Sequence, residues 1–311
     1  MRMLVTGASG AIGAALVPHL AREGHELRAF ARTPARVPEP VAALAEVVQG
    51  DAVSGAGLEA ALDGVDVAFF LIHSMETVEA AGRDGFAERD RVAAGRFADA
   101  ASRAGVRRIV YLGGLVPATG RASEHLASRL EVEELLLGGA PEAVALRASI
   151  VIGARSRSLR FLVRLVERVP VMLLPAWRDN RTQPIDNRDV LAYLAAAATS
   201  DAVRGSVSVD IAGPDVLTYG ELVDRIRDAL LVARPALALP ITLTPVASRV
   251  AAAIAGEDPE LIGPLMAGLE GDLLPRDNGA QALFGVRLHH VDAAIERALR
   301  EWEATEPLTA R

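Results

Sequence analysis

The chain has 311 residues, 51% of them apolar, and its 33 basic and 40 acidic side chains leave a net charge of −7. That size and apolar share can bury a full core and exclude a disordered chain, while the negative balance offers no general attraction to nucleic acid or an anionic membrane. Cysteine is absent and every basic residue is arginine, which excludes disulfides, thiolate metal sites, cysteine nucleophiles and Schiff-base chemistry on lysine.

The first apolar run, Met3 to Val5, reads as a strand and is followed at once by glycines at 7, 10 and 13 and a helical pattern over Ala11 to Glu23. A strand this close to the first residue leaves no room for a secretory leader, so a cytoplasmic protein is expected. Further strands are predicted over Glu26 to Ala31, Ala45 to Val48 and Val67 to Leu71, then a long helix over Val78 to Ala104. A strand over Arg108 to Leu112, a helix over Ser123 to Leu137 and a strand over Ala143 to Leu146 complete the alternation. Gly24, Gly64 and Gly105 each fall between a helical stretch and the next strand, where a left-handed cap belongs. This is the βαβ pattern of a parallel sheet covered on both faces.

After Ser149 the alternation loosens. Residues 156 to 168 keep helical spacing, Pro170 to Pro184 is bounded by prolines, and a helix over Asp189 to Thr199 is expected with Asp189 as its N-cap. Ser206 to Ile211 reads as one more strand of the same sheet. The remaining chain, with prolines at 235, 240, 245, 259, 264 and 275, suits a small helical lobe. The apolar segment 235 to 256 is broken by Pro240, Pro245 and Arg249, so no transmembrane segment is expected. The expected fold is therefore α/β, a Rossmann-type doubly wound parallel sheet with a small, mostly helical C-terminal substrate lobe. Residues 1–150 and about 185–212 would form the dinucleotide-binding part, and about 151–184 and 213–311 the lobe.

Three glycines between a strand and a helix have a physical use. A helix N-terminus leaves N–H groups unpaired and attracts phosphate, provided that the turn is tight and bare. Gly7 can supply the turn, Gly10 the open approach and Gly13 the close packing of helix on strand. At the end of the second strand, where NAD-selective sites place a carboxylate, the chain has Arg32, with Arg36 a short way on. A guanidinium suits a 2′-phosphate, so NADP(H) is expected over NAD(H).

The spacing in "TGASGAIG" (6–13) resembles the short-chain dehydrogenase/reductase superfamily, in its extended and atypical branches. "RIVYLGG" (108–114), "LRASIVIG" (146–153), "QPIDNRDV" (183–190) and "FFLIHSM" (69–75) extend the likeness to NmrA-like proteins, complex I subunit-like proteins and NAD(P)H-binding proteins of the YbjT type. The resemblance implies cofactor contacts at Thr6, Gly7, Gly10, Ala11, Ile12 and Gly13. It also implies them at Asp51 and Ala52 near the adenine, at Leu71, Ile72 and His73, and at Gly113, Arg129, Ala148, Ser149 and Ile150. Asp51 also suits a strand-end turn.

The same resemblance implies a catalytic serine and a Tyr-x-x-x-Lys pair, and here the chain departs from it. The serine position reads Gly113-Gly114, the tyrosine position His125 and the lysine position Arg129. Tyr111 lies inside an apolar strand and reads as core. His125 is a candidate proton donor, Arg129 a candidate for ribose hydroxyls, and His73, just past the fourth strand, a second candidate histidine. Each histidine also suits a plain surface or loop role.

Gln183, Arg178 and Arg181 flank a loop expected on the substrate side. His289 and His290 lack partners at ligand spacing, so no metal is expected. Three readings follow. One is an oxidoreductase acting on a small apolar carbonyl or enone, another a non-catalytic sensor or assembly protein, and the weakest a nucleotide-sugar epimerase or dehydratase. A small-molecule substrate or effector is expected, with the chain a monomer or homodimer.

Overall fold

The computed structural model describes residues 1–73, 85–116, 124–238, 269 and 271–308, with the side chains of 124, 125 and 238 outside that description. Short, almost wholly apolar runs form the central strands because both sheet faces are covered. They are β1 (Arg2–Thr6), β2 (Glu26–Ala31), β3 (Glu46–Gln49), β4 (Val67–Phe70), β5 (Arg108–Gly114) and β6 (Glu142–Ala148), joined by an edge strand, Ser206–Ile211. Their spatial order is β3-β2-β1-β4-β5-β6-edge, and every pairing is parallel. The order reverses at β1, which opens a crevice above the carboxyl ends of β1 and β4.

Alternation along the strands divides the core. Met3, Val5, Val67, Phe69 and Val110 share one cluster with helices α1 (Ala11–Arg22), the short α2 (Glu39–Ala42) and α7 (Asn187–Thr199). Leu4, Ala68, Phe70, Ile109 and Tyr111 face α3 (Leu58–Leu62), α4 (Gly85–Ala104) and α5 (Glu124–Leu137). Gly24, Gly64 and Gly105 all have positive φ, as their positions between helix and strand require. The predicted start of α4 at residue 78 lies outside the described residues. A third apolar cluster joins α6 (Arg157–Arg168), Trp177, α8 (Tyr219–Ala229) and the helix Val291–Glu303. Trp302 there is buried, with the guanidinium of Arg160 4.2 Å from its ring centre.

The N-cap of α7 is Asp186 and not Asp189. The Asp186 carboxylate accepts the Arg188 backbone N–H at 2.7 Å and pairs with the Arg188 and Arg297 side chains. Asp189 lies in the first turn, 1% exposed, and accepts from the backbone N–H of His289 at 2.8 Å. Burial pushes its carboxyl above the usual range, opposed by those bonds from His289.

The two adjacent histidines each meet an aspartate distant in sequence. His289 Nδ1 lies 2.5 Å from Asp189 and His290 Nδ1 2.8 Å from Asp215. Among the described residues no three His, Asp or Glu side chains converge as a metal site would require. No described helix is long and apolar enough to cross a membrane.

Candidate functional site

β1 ends at Thr6, and Gly7 turns the chain with φ +66°. The Gly10 N–H closes the turn on the Gly7 carbonyl at 2.9 Å, and α1 begins with Gly10 as an N-cap that has no side chain to occupy the opening. The close approaches are severe. A Cβ on Gly7 would stand 2.6 Å from the Leu71 carbonyl oxygen, and one on Gly13 would stand 2.4 Å from that of Gly7. Only glycine permits this packing, and it leaves the first-turn N–H groups of α1 facing the crevice with no acidic residue among them. That bare, electropositive cradle fits a diphosphate.

A cleft of about 250 Å³ extends from the cradle. Of the residues expected at the cofactor, Gly7, Gly10, Ala11, Ile12, Gly13, Arg32, Asp51, Ala52, Leu71, Ile72, His73 and Arg129 line it. Arg32 is exposed just past β2, while Asp51 makes the strand-end turn by accepting the Val53 N–H at 3.0 Å and also faces the cleft.

Six expected residues lie elsewhere. Thr6 is fully buried beneath the loop, where its hydroxyl donates to the Phe69 carbonyl at 2.9 Å and accepts the Leu71 N–H at 3.0 Å. Arg36 is exposed in a single 3-10 turn, Pro34–Arg36, away from the lining. Gly113 abuts the Tyr111 ring, and Ala148, which ends β6, and Ser149 and Ile150 after it do not line the cleft. Ser149 is 5% exposed and its hydroxyl has no hydrogen-bond partner among the described residues, leaving an unmet polar group where the sheet's carboxyl ends open.

The β4–β5 side of the cleft holds the titratable groups. His73 Nδ1 lies 3.2 Å from Oδ2 of Asp90, a buried residue of α4. Burial holds the imidazole down at about 4, helped by the positive charges of Arg129 and Arg157 and opposed by Asp90. At neutral pH the ring is therefore uncharged. A carboxylate only accepts, so Nδ1 carries the proton and Nε2 the lone pair.

Arg129 is anchored over the end of β5, where Nη1 donates to the Leu112 carbonyl at 3.4 Å and to the Tyr111 hydroxyl at 3.5 Å. Tyr111 is 2% exposed, and burial raises its phenol above the ordinary value. His125 falls in the first turn of α5, but its side chain lies outside the described residues.

Sequence reasoning missed several participants. Asp90 had a readable signal, since it shares the buried stripe of α4 with Ala93, Ala94 and Phe97, and a carboxylate on an apolar stripe needs a partner. Arg89 and Phe30 also line the cleft. Arg155 donates across to the Ser9 carbonyl at 3.3 Å, a link of 146 residues in sequence with no local signal.

The loop residues expected on the substrate side are engaged elsewhere. Gln183 donates to the Gly213 carbonyl at 2.6 Å, Arg181 pairs with Asp272, and Arg178 lies by Asp179.

Residues 7–134 match a protein family described as NAD(P)H-binding. The chain is 30% identical over 224 residues to the (4-alkanoyl-5-oxo-2,5-dihydrofuran-3-yl)methyl phosphate reductase of Streptomyces griseus, covering 70% of each chain. It is 28% identical over 219 residues to an uncharacterized protein of Mycobacterium tuberculosis, covering 70% of this chain and 22% of that one, so it spans about a fifth of that relative. Among solved structures, MoeE5 in complex with UDP-glucose and NAD superimposes with a TM-score of 0.71 at 21% identity, over 98% of this chain and 99% of that one. At that identity the likeness concerns the fold alone.

Proposed function

Because this chain belongs to the NAD(P)H-binding, atypical short-chain dehydrogenase/reductases, we propose that it is an NADP(H)-dependent reductase of a small conjugated carbonyl compound. The observation that carries this reading is the His73–Asp90 pair beside Arg129, on the side of the cleft away from Arg32. The Streptomyces relative supports the substrate class, because the compound in its name is a dihydrofuranone with a ring double bond conjugated to carbonyl groups.

In this reading the N–H groups around Gly7, Gly10 and Gly13 hold the diphosphate, and Arg32 meets the 2′-phosphate. The chemistry that bound NADPH supplies is hydride donation. Arg129, fixed by Leu112 and Tyr111, stabilises negative charge developing on the carbonyl oxygen. The proton that completes the reduction comes from a solvent water, which donates its other hydrogen to the Nε2 lone pair of His73 and leaves as hydroxide, so the imidazole positions the proton source and stays neutral. Asp90 holds the ring in the tautomer this needs. Glycines at 113 and 114 and Arg129 stand at the serine and lysine positions of the superfamily pattern, and a water held by His73 stands in for the missing tyrosine.

The test pairs NADPH and NADH binding titrations with coenzyme oxidation across a panel of enones and simple ketones. Turnover of enones with NADPH that falls at least about a hundredfold in His73→Ala, the usual scale of acid–base catalysis, supports the reading. Tight binding with no turnover on any substrate overturns it in favour of a nucleotide sensor.

A further inference from the structure

One side of the cleft is lined by an apolar strip, Phe30 near the end of β2 and Ala52 and Val53 just after β3, with Asp51 beside it. Arg89 of α4 lines the same cleft, and helix geometry places it on this side. Arg89, Arg96 and Arg103 recur at nearly two full turns and so share one row of α4. Arg96 donates to the Val53 carbonyl at 2.6 Å and Arg103 stands 3.5 Å from Glu59, so the row faces residues 53–59.

The height of Arg89 follows from the topology. α4 ends at Ala104 and β5 begins at Arg108, so in this parallel sheet the helix runs against the strands and its first turns lie at their carboxyl ends. Arg89 therefore stands about 10 Å beyond Arg96 toward the cleft, over the segment that follows β3. It is half-buried and makes no hydrogen bond or ion pair with any described residue. Burying part of a guanidinium without a partner is costly, and a bound ligand can supply the partner.

Asp51 restricts what that ligand group can be. Its carboxylate accepts the Val53 N–H at 3.0 Å and also faces the cleft, so a phosphate placed here would meet a like charge. The diphosphate belongs at the cradle after β1, two strands from β3 in the order β3-β2-β1, roughly 10 Å away at the usual strand spacing. A purine meets every group present. Its face attracts a guanidinium, its edge amine donates to a carboxylate, and its flat body suits an apolar wall.

We propose that Arg89 clamps the adenine of the coenzyme, its guanidinium stacked flat on the purine, which lies against the apolar strip with its amino group toward Asp51. This rests on the coenzyme lying in the glycine cradle, and on neither the reductase reading nor the choice of NADPH over NADH.

Calorimetry on the wild type and on Arg89→Gln, Arg89→Phe and Arg103→Gln tests it with four ligands: NADPH, NADH, adenosine 2′,5′-bisphosphate and AMP. Arg89→Gln should weaken all four by one common factor, about three- to tenfold, because all four carry the purine. Arg89→Phe keeps a flat face without the charge and should recover most of that loss. Arg103→Gln, farther along the same row and away from the cleft, should bind like the wild type.

A loss confined to NADPH and the bisphosphate overturns the proposal and makes Arg89 a ligand of the 2′-phosphate. A loss confined to the two dinucleotides overturns it in favour of the diphosphate, and unchanged affinity in Arg89→Gln overturns it outright. Arg89→Phe binding no better than Arg89→Gln overturns the stack. A loss common to all four ligands in a protein that turns over no enone keeps the clamp and overturns only the reductase reading. A wild type that binds none of the four overturns the clamp and the cradle together.

Discussion

The imidazole of His73 supplies a prediction with a definite sign and size. Its folded value of about 4 lies below the ordinary 6.5, chiefly through burial, and its side chain is only 23% exposed. Above pH 6.5 neither the folded nor the unfolded chain binds the proton. Between 6.5 and about 4 the unfolded chain binds it and the native one does not, so stability falls by about 1.4 kcal/mol for each unit of acidification. Over the whole window His73 costs about 3 kcal/mol, and below it the slope from this group vanishes.

His73→Asn keeps a side-chain N–H able to reach Asp90 and removes the titration. Urea unfolding of both proteins at about pH 7.5 and about pH 4.5 should show the wild type losing about 2 to 3 kcal/mol more than the variant. Equal losses would refute the neutral, buried imidazole and with it the role of Nε2 as an acceptor. A flat rate profile from about pH 5 to 8 is the matching catalytic expectation, because no protonation of His73 falls in that range.

Gly13→Ala should abolish the thermal stabilisation given by NADPH while the far-UV spectrum stays native, since its Cβ would press to 2.4 Å from the Gly7 carbonyl oxygen. An unchanged shift with coenzyme would show that the cradle is not the binding loop. Arg32→Asp should move the NADPH-to-NADH preference toward NADH by at least about tenfold in titrations, and no movement would remove Arg32 from the 2′-phosphate. Asp186→Ala should cost about 3 to 5 kcal/mol in chemical denaturation, because it orphans Arg188 and Arg297 and uncaps α7. A loss below about 1 kcal/mol would show that the buried pairing adds little.

The local pattern of this fold was readable because it is written in neighbouring residues. The strand, the bare turn and the helix of residues 2 to 22 lie in one continuous stretch, and the left-handed glycines at 24, 64 and 105 mark the returns to the sheet. Even the edge strand Ser206–Ile211 announced itself by its own composition.

What stayed hidden depends on contacts between distant segments. In "IDNRDV" two aspartates three apart can each cap a helix. The structure selects Asp186 because Ile185–Asp186 pairs with Val151–Ile152, and it turns Asp189 toward His289, 100 residues away. His73 and Asp90 lie 17 residues apart on a loop and a helix whose relative placement no local pattern specifies. For the same reason Gln183 and Arg181, polar residues on a loop, turned out to tie loops together.

The hydroxyl of Thr6 joins two parts of the cleft that face different partners. One oxygen atom holds the Phe69 carbonyl and the Leu71 N–H, so the strand feeding the phosphate cradle is pinned to the segment that leads into His73. Gly7 lies against the Leu71 carbonyl with no room for a methyl group. A shift of the strand before the glycine turn is thus mechanically a shift of the segment that carries His73, and a methyl-for-hydroxyl exchange at residue 6 should loosen both together.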